Sequence, residues 1–470
     1  MRKAYLALAF TFSLLTASAF AQAPIPDTAS GRALEAWLAA FNSGDRDRIQ
    51  TFVDEYGWPQ SVQSLVSFRN QTGGFDLLSV VHSDSRSIEF MVKERASDTH
   101  AVGLLALSGD DPPRIGEATL RAIPPGRKLL GFDIDAAMRD SVIDGVIAKL
   151  RERYVDAQTA KAMADALQRH RKAGEYDEIT SGPEFAQRLT ADLREVSHDL
   201  HLRVSFSPVA NPKRPADFRP NPAANEQLRR QMARVNCGFE QVDILPGNVG
   251  YLKFSMFANP EVCGATATAA MNFLATVDAL IIDLRDNGGG SPEMVDYVAS
   301  YLFAARTHLN DLYDRPDDTT QQWWTLPYVP GERLAKQPVY VLTSKRTFSG
   351  AEEFTYDLQS LGRATVVGET TGGGAHLVRG EWINEQFTIG VPFASAVNPV
   401  TKTNWEGTGV KPDVEVPADE ALDKARGLIA ARQAEPQQPR QCNPEISARG
   451  EKRGIEASGA SSGSRRRQGE

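Results

Sequence analysis

The chain has 470 residues, 24% of them charged and 41% hydrophobic, with a formal net charge of −8 at pH 7. That length exceeds one ordinary domain, the composition is that of a folded protein rather than a disordered or fibrous one, and the acidic balance argues against a nucleic-acid partner. Three cysteines are too few for a disulfide scaffold but allow one bridge.

In chain order, Arg2 and Lys3 precede an apolar run from Ala4 to Leu15 and then Ala19-Phe20-Ala21. This is the pattern of a signal peptide over residues 1–21, cut before Gln22. No later apolar run is long enough to span a bilayer, so the expectation is an exported protein, periplasmic or extracellular, with no membrane span. Residues 28–125 read as an α+β accessory domain, with an amphipathic helix, a Ser-Gly-Asp break, a second helix and then strand-like segments FDLLSVVHS, SIEFMVKERA and HAVGLLAL. The module resembles the cystatin-like and nuclear-transport-factor-2-like domains appended to exported enzymes. A Pro-Pro-Gly linker near Ala122 to Lys128 ends it.

Residues 130–205 read as a helical subdomain, with helical spacing from Ala136 to Leu167 and from Pro183 to Val196. The span 206–247 is Pro-rich at its start and reads as a loop or lid. From residue 248 to 430 strands and helices alternate, as expected of an α/β core, and the strands ALIIDL and PVYVLTS have the unbroken apolar character of fully buried ones. Residues 434–470, rich in Gln, Pro, Ser, Gly and Arg, read as a disordered tail. Cys237 and Cys263 flank a pair of strand-like segments and are the candidates for a bridge, free thiols being the open alternative; Cys442 is left odd.

Two segments carry chemistry. After the strand ending at Thr343, a polar turn leads to Ser349 at the start of a helical pattern, where unpaired amides and the helix dipole can stabilise negative charge. Ser349-Gly-Ala-Glu352 is equally an S-x-x-E capping box, in which serine and glutamate merely satisfy helix-end amides. The strand from Ala279 to Leu284 runs into Asp286-Asn287-Gly288-Gly289-Gly290, a stretch in which the backbone can approach a ligand closely, as in an oxyanion hole, or make a plain tight turn. Neither a dinucleotide nor a P-loop fingerprint is present.

ALIIDLRDNGGG, VYVLTSKRTFSGAEEF, VVGETTGGGAH and NWEGTGVKPDVEV, in that order, resemble the S41 serine peptidases: the tail-specific and C-terminal processing proteases, the tricorn core and the interphotoreceptor retinoid-binding protein. The resemblance covers residues 130 to 430 or so. It implies a ClpP/crotonase-like core, Ser349 as nucleophile, and amides of Gly288 or Gly289 and of Gly350 as the oxyanion hole. The lysine that processing proteases pair with the serine is missing from Gly372-Gly373-Gly374. The resemblance to the histidine-using branch implies His201 as general base, from Asp199-Leu200-His201, with His198 as runner-up and Glu406 as the partner that orients it. His376 would line the substrate cleft. The implied reaction is peptide hydrolysis through an acyl-enzyme, with protein or peptide substrates and neither cofactor nor metal. About fifty residues separate His201 from the strand at Tyr251, too few for the PDZ domain of the processing proteases. The rival reading is a non-catalytic binder of apolar ligands on the same scaffold, as the retinoid-binding relative is.

Overall fold

A computed structural model describes residues 23–58, 60–109, 112–124, 126–213 and 222–434. The expected signal peptide, Cys442 and all but the first residue of the expected tail lie outside these. The described chain falls into two compact units. One comprises the chain up to Gln231 with Thr307–Thr325 and Gly373–Gly409, and the other Met232–Arg306, Leu326–Gly372 and the chain from Val410.

In the first unit, Thr28, Asp45 and Ser61 each accept first-turn amide protons and so start three helices, α1 (Ala29–Ser43), α2 (Arg46–Tyr56) and α3 (Val62–Thr72). Gly44, Gly57 and Gly73 end them in the left-handed conformation that glycine adopts without a Cβ penalty. Four antiparallel strands follow in sequence order, β1 (Phe75–Ser83), β2 (Ser87–Glu94), β3 (His100–Leu107) and β4 (Ile115–Ala122). Leu34, Trp37, Phe41, Phe75 and Phe90 fill the space between helices and sheet. Next come α4 (Ala136–Arg153), α5 (Ala157–Lys172) and α6 (Gly182–Ser197), then β5 (Arg203–Phe206). Their apolar faces share one core, in which Val146, Leu150, Phe185 and Leu189 are all fully buried or nearly so.

Inside the span expected as loop or lid, helix α7 runs over Pro222–Arg234 and strand β6 over Phe239–Leu245. Proline density hid the helix, although Pro222 stands at its first residue, where a proline costs nothing, and Ala, Glu, Gln, Leu, Arg and Met after it are strong helix formers. Strand β6 turns through Gly247 and Asn248, both at positive φ, into β7 (Val249–Phe254). Then come α8 (Pro260–Phe273), β8 (Ala279–Asp283), α9 (Pro292–Ala299), β9 (His308–Asp314), β10 (Thr319–Trp324), β11 (Val339–Thr343), α10 (Gly350–Ser360), β12 (Ala364–Gly368), β13 (His376–Trp382), β14 (Phe387–Val397), β15 (Val414–Glu415) and α11 (Ala421–Ala434).

The second unit is built on a six-stranded sheet of order β15-β12-β11-β8-β7-β6, parallel except for the β6–β7 hairpin. Every residue of β8 and β11 is buried, the reason their sequences are unbroken apolar runs. Cys237 and Cys263 form a disulfide with Cα atoms 5.7 Å apart, which settles the choice left open by the sequence. In the first unit, β10, β9, β14 and β13 make a second sheet, with β5 paired to β14.

Candidate active site

Strands β8 and β11 are parallel neighbours, with Leu342 opposite Asp283, so the loops that follow them leave the same end of the sheet. Carboxyl ends of parallel strands are where open α/β sheets place their ligands. The first loop carries Gly288, Gly289 and Gly290, and the second carries Ser349. Side chains and backbone lace them together. Ser344 Oγ and Thr347 Oγ1 donate to the carbonyls of Arg285 and Leu284, and Phe348 N donates to Asn287 O at 3.1 Å.

Ser349 has φ +52° and ψ −123°, outside the extended region of an ordinary N-cap residue. Ser349 and Glu352 make the capping-box pair. Glu352, fully buried, accepts the Ser349 amide proton at 2.8 Å, and its other oxygen accepts the Thr371 hydroxyl. A non-glycine residue held at positive φ by its surroundings stores strain of a kind that clusters at functional sites. Here the glutamate fixes the backbone of the serine.

The glycine loop packs directly on this turn. A Cβ built on Gly289, at φ +95°, would lie 2.6 Å from both Gly350 N and Phe348 O and 2.8 Å from Ser349 Cβ. Only glycine fits there. Of the amides expected to hold an oxyanion, that of Gly289 donates to Asn287 Oδ1 at 2.8 Å and that of Gly288 to Ser255 O at 3.3 Å. The Gly350 amide, and that of Gly290 beside it, have no acceptor among the described residues of this unit. The two lie close together, since a Cβ on Gly350 would be 3.1 Å from Gly290 N.

The first unit gathers the histidines. His198 is exposed and closes α6 at φ +57°, its amide donating to Arg194 O, which is a capping role. Strand β14 pairs with β5, Gly390 opposite Arg203, and with β13, Ser395 opposite His376. That sheet brings together groups 177 residues apart: His376 Nδ1 lies 2.7 Å from Asp199 Oδ2. Glu406 Oε2 is 3.5 Å from the same nitrogen and accepts the Ala375 amide proton at 2.6 Å. Asp199 is 1% exposed, and its Oδ2 also accepts from the Tyr154 hydroxyl at 3.2 Å. Burial lowers the His376 pKa, but the bond to Asp199 and the Glu406 charge outweigh it and hold the pKa above its ordinary value. The Asp199 carboxyl, despite its burial, is held below its ordinary range by His376. With Nδ1 facing carboxylates, Nε2 is the nitrogen left for chemistry.

His201 sits just ahead of β5. Its amide donates to Asp199 Oδ1 at 2.9 Å and its Nδ1 is 3.7 Å from that oxygen. Burial depresses its pKa to about 4, the nearby Asp199 charge only partly opposing this. Sequence reasoning therefore named the members of this cluster, but the Asp199–His376 pair is new, and the GGGAH adjacency was its only sequence signal. Ligand atoms of Asp199, His376 and Glu406 lie within 4.8 Å of one another and could hold a cation; here the same atoms make the ion pairs just described.

Comparisons with known proteins fit these features. Residues 248–416 match the model of peptidase family S41, and residues 136–246 match that of the N-terminal domain of peptidase S41 in eukaryotic IRBP. A carboxyl-terminal-processing peptidase 2 of Arabidopsis thaliana, chloroplastic, is 28% identical over 208 residues, which take in 40% of this chain and 37% of that protein. The chain thus spans little more than a third of this curated relative. Among solved structures, a candidate peptidase of Parabacteroides merdae is 21% identical, covers 63% of this chain and 97% of its own, and has a TM-score of 0.46. The photosystem II D1 C-terminal processing protease is 15% identical, over 60% of this chain and 94% of its own, at a TM-score of 0.39. The two family models, met in tandem on the residues that carry the serine turn, the glycine loop and the histidine cluster, show that the chain belongs to peptidase family S41.

Proposed function

We propose that the protein is an exported serine endopeptidase that hydrolyses protein or peptide substrates through an acyl-enzyme on Ser349. The observation that carries this is the Ser349 turn: a serine at φ +52°, its backbone held by Glu352, with the Gly350 amide beside it. In the reaction Ser349 Oγ attacks the peptide carbonyl, a histidine takes the hydroxyl proton and returns it to the leaving amine, and water releases the acyl group. The oxyanion role passes to the amides of Gly350 and Gly290, because those of Gly288 and Gly289 have acceptors of their own. The parallel sheet supports a ClpP/crotonase-like core, and three helices on a four-stranded meander suit a nuclear-transport-factor-2-like or cystatin-like accessory domain. The Cys237–Cys263 bridge is in keeping with an oxidising compartment.

The base is a histidine of the Asp199 cluster. The family pattern favours His201, with Glu406 as its partner. The hydrogen bond from His376 to Asp199 favours His376, since a base needs an acidic partner that fixes its tautomer and a pKa near the working pH. Cleavage of a denatured casein and fluorophosphonate labelling, measured against pH for wild type, Ser349→Ala, His201→Asn, His376→Asn and His198→Ala, test both points. Ser349→Ala abolishes both signals and His198→Ala neither. A base must be unprotonated, so kcat/KM falls on acidification through its pKa. With His376 as base the fall lies above pH 6.5, and with His201 activity holds down to about pH 4. Absence of labelling and cleavage, together with saturable binding of a retinoid-like probe, would overturn the enzyme in favour of the binder.

A further inference from the structure

Within the first unit, a groove of about 620 Å³, well inside the range of ligand pockets, runs between the accessory sheet and the helical subdomain. Ala118 and Leu120 of β4 pack into the core between helices and sheet, so Glu117, Thr119 and Arg121 point to the opposite face, which forms one wall. Helix α6 and strand β5 form the other wall and bring Arg194 and Arg203 to it. Val102, Leu104, Phe132 and Val204, each at most 5% exposed, give the groove a buried apolar lining.

Three guanidinium groups thus share this space with a single carboxylate. Arg121 Nη2 donates to Asn211 Oδ1 at 2.6 Å, and Arg194 donates from Nε and Nη2 to the carbonyls of Leu202 and Leu200 at 2.9 and 2.6 Å, so both are held in place by neutral acceptors. Arg203 lies near enough to Arg194 to repel its charge and near enough to Glu117 to stabilise the carboxylate. None of the three arginines forms an ion pair among the described residues. Glu117 accepts from Gln187 Nε2. Arginine stays charged at any working pH, and a cleft with an excess of one charge beside apolar walls concentrates ions of the opposite sign.

We propose that this groove is a binding site for a small organic acid, a monocarboxylate on a compact apolar body of the aryl-alkanoate class. The planar carboxylate matches the guanidinium forks of Arg203 and Arg194, and the apolar body covers the buried lining. Glu117 beside Arg203 disfavours a second negative charge, which counts against a phosphate ester, while a neutral ligand would leave the arginines without a counter-charge as it covered them.

The probe is 4-phenylbutyrate, titrated calorimetrically at low salt into the full chain, with 4-phenylbutanamide as its uncharged counterpart. Expected are saturable one-to-one binding of the acid, binding of the amide weaker by about tenfold or more, and an affinity for the acid that falls as salt rises. Arg194 also holds the carbonyls on either side of His201, so the variants spare it. Arg203→Gln should weaken binding of the acid by about tenfold. Ala191→Trp, at an exposed position of α6 on the groove wall, should abolish it. Arg48→Gln, which removes an exposed arginine outside the groove, should leave binding unchanged, and so should Ser349→Ala, which separates this outcome from that of the proposed peptidase. Absence of saturable binding would overturn the proposal, as would equal affinities for acid and amide or wild-type affinity in both groove variants. Binding of an apolar peptide through its free carboxyl terminus, with none of 4-phenylbutyrate, would overturn it in favour of a chain end. Arg203 and Ala191 are both exposed, and thermal melts establish that their variants are folded.

Discussion

Replacing Gly289 by alanine tests the account of the nucleophile turn most directly. At φ +95° an added Cβ meets Gly350 N and Phe348 O at 2.6 Å, where ordinary contact begins at 3.4 Å, and both neighbours are backbone atoms that cannot swing aside. The turn must give by about 0.8 Å, and the left-handed backbone adds about 1–2 kcal/mol of strain of its own. With overpacking the total loss of stability comes to about 2–4 kcal/mol. A displacement of that size at a nucleophile costs on the order of 100-fold in rate. Gly288→Ala supplies the control for stability, because a Cβ there meets nothing within 4 Å. Denaturant unfolding of both variants and the rate of fluorophosphonate labelling of Ser349 are the assays. A Gly289→Ala protein as stable as Gly288→Ala, with Ser349 labelled at the wild-type rate, would refute the packing argument.

The disulfide closes a loop of 26 residues, so Cys237→Ser or reduction should cost about 3.5 kcal/mol in the chain-entropy account, read as a lower denaturant midpoint. Asp296, on α9 and 7% exposed, has its pKa pushed up to about 8 by burial and then by the charges of Glu353 and Glu293. The folded protein therefore holds a proton that the unfolded chain releases near pH 4. This contribution is fully present below that pH and is lost as pH rises toward 8, by on the order of 4 kcal/mol at pH 7. Asp296→Asn should flatten that part of the stability–pH curve, and equal slopes in the two proteins between pH 5 and 8 would count against it. Asp199→Asn should lower the His376 pKa, visible as an acidward shift of its imidazole resonances; unchanged resonances would mean that Asp199 does not hold the ring.

The legible parts of the fold were those in which local signals agree with tertiary demands. Helices α1 and α2, their Asp45 cap and the glycine between them follow from composition and spacing alone, as do the buried strands β8 and β11. Strand β14 was missed because Pro392 lies inside it. The β13–β14 pair accommodates that proline with a register shift between Leu377 and Val378, where Val378 faces Pro392. Helix α7 was missed for a related reason, since proline density outweighed the helix formers that follow Pro222.

At the candidate site the sequence by itself determined which residue types are available: a serine at a strand-to-helix turn, three consecutive glycines after a parallel strand, and acids and histidines near both ends of a sheet. The S-x-x-E motif is the same string in a cap and in a nucleophile turn. Tertiary structure separated them, because the turn that carries Ser349 is packed against Asn287 and Gly289, neither of which lies in the motif. Which amides of the glycine run stay available was likewise decided by partners elsewhere, Asn287 Oδ1 taking one and Ser255 O another. The Asp199–His376 pair lay furthest from the sequence, since hydrogen bonds form between groups that are near in space, and only the pairing of β14 with both β5 and β13 makes residues 177 apart neighbours.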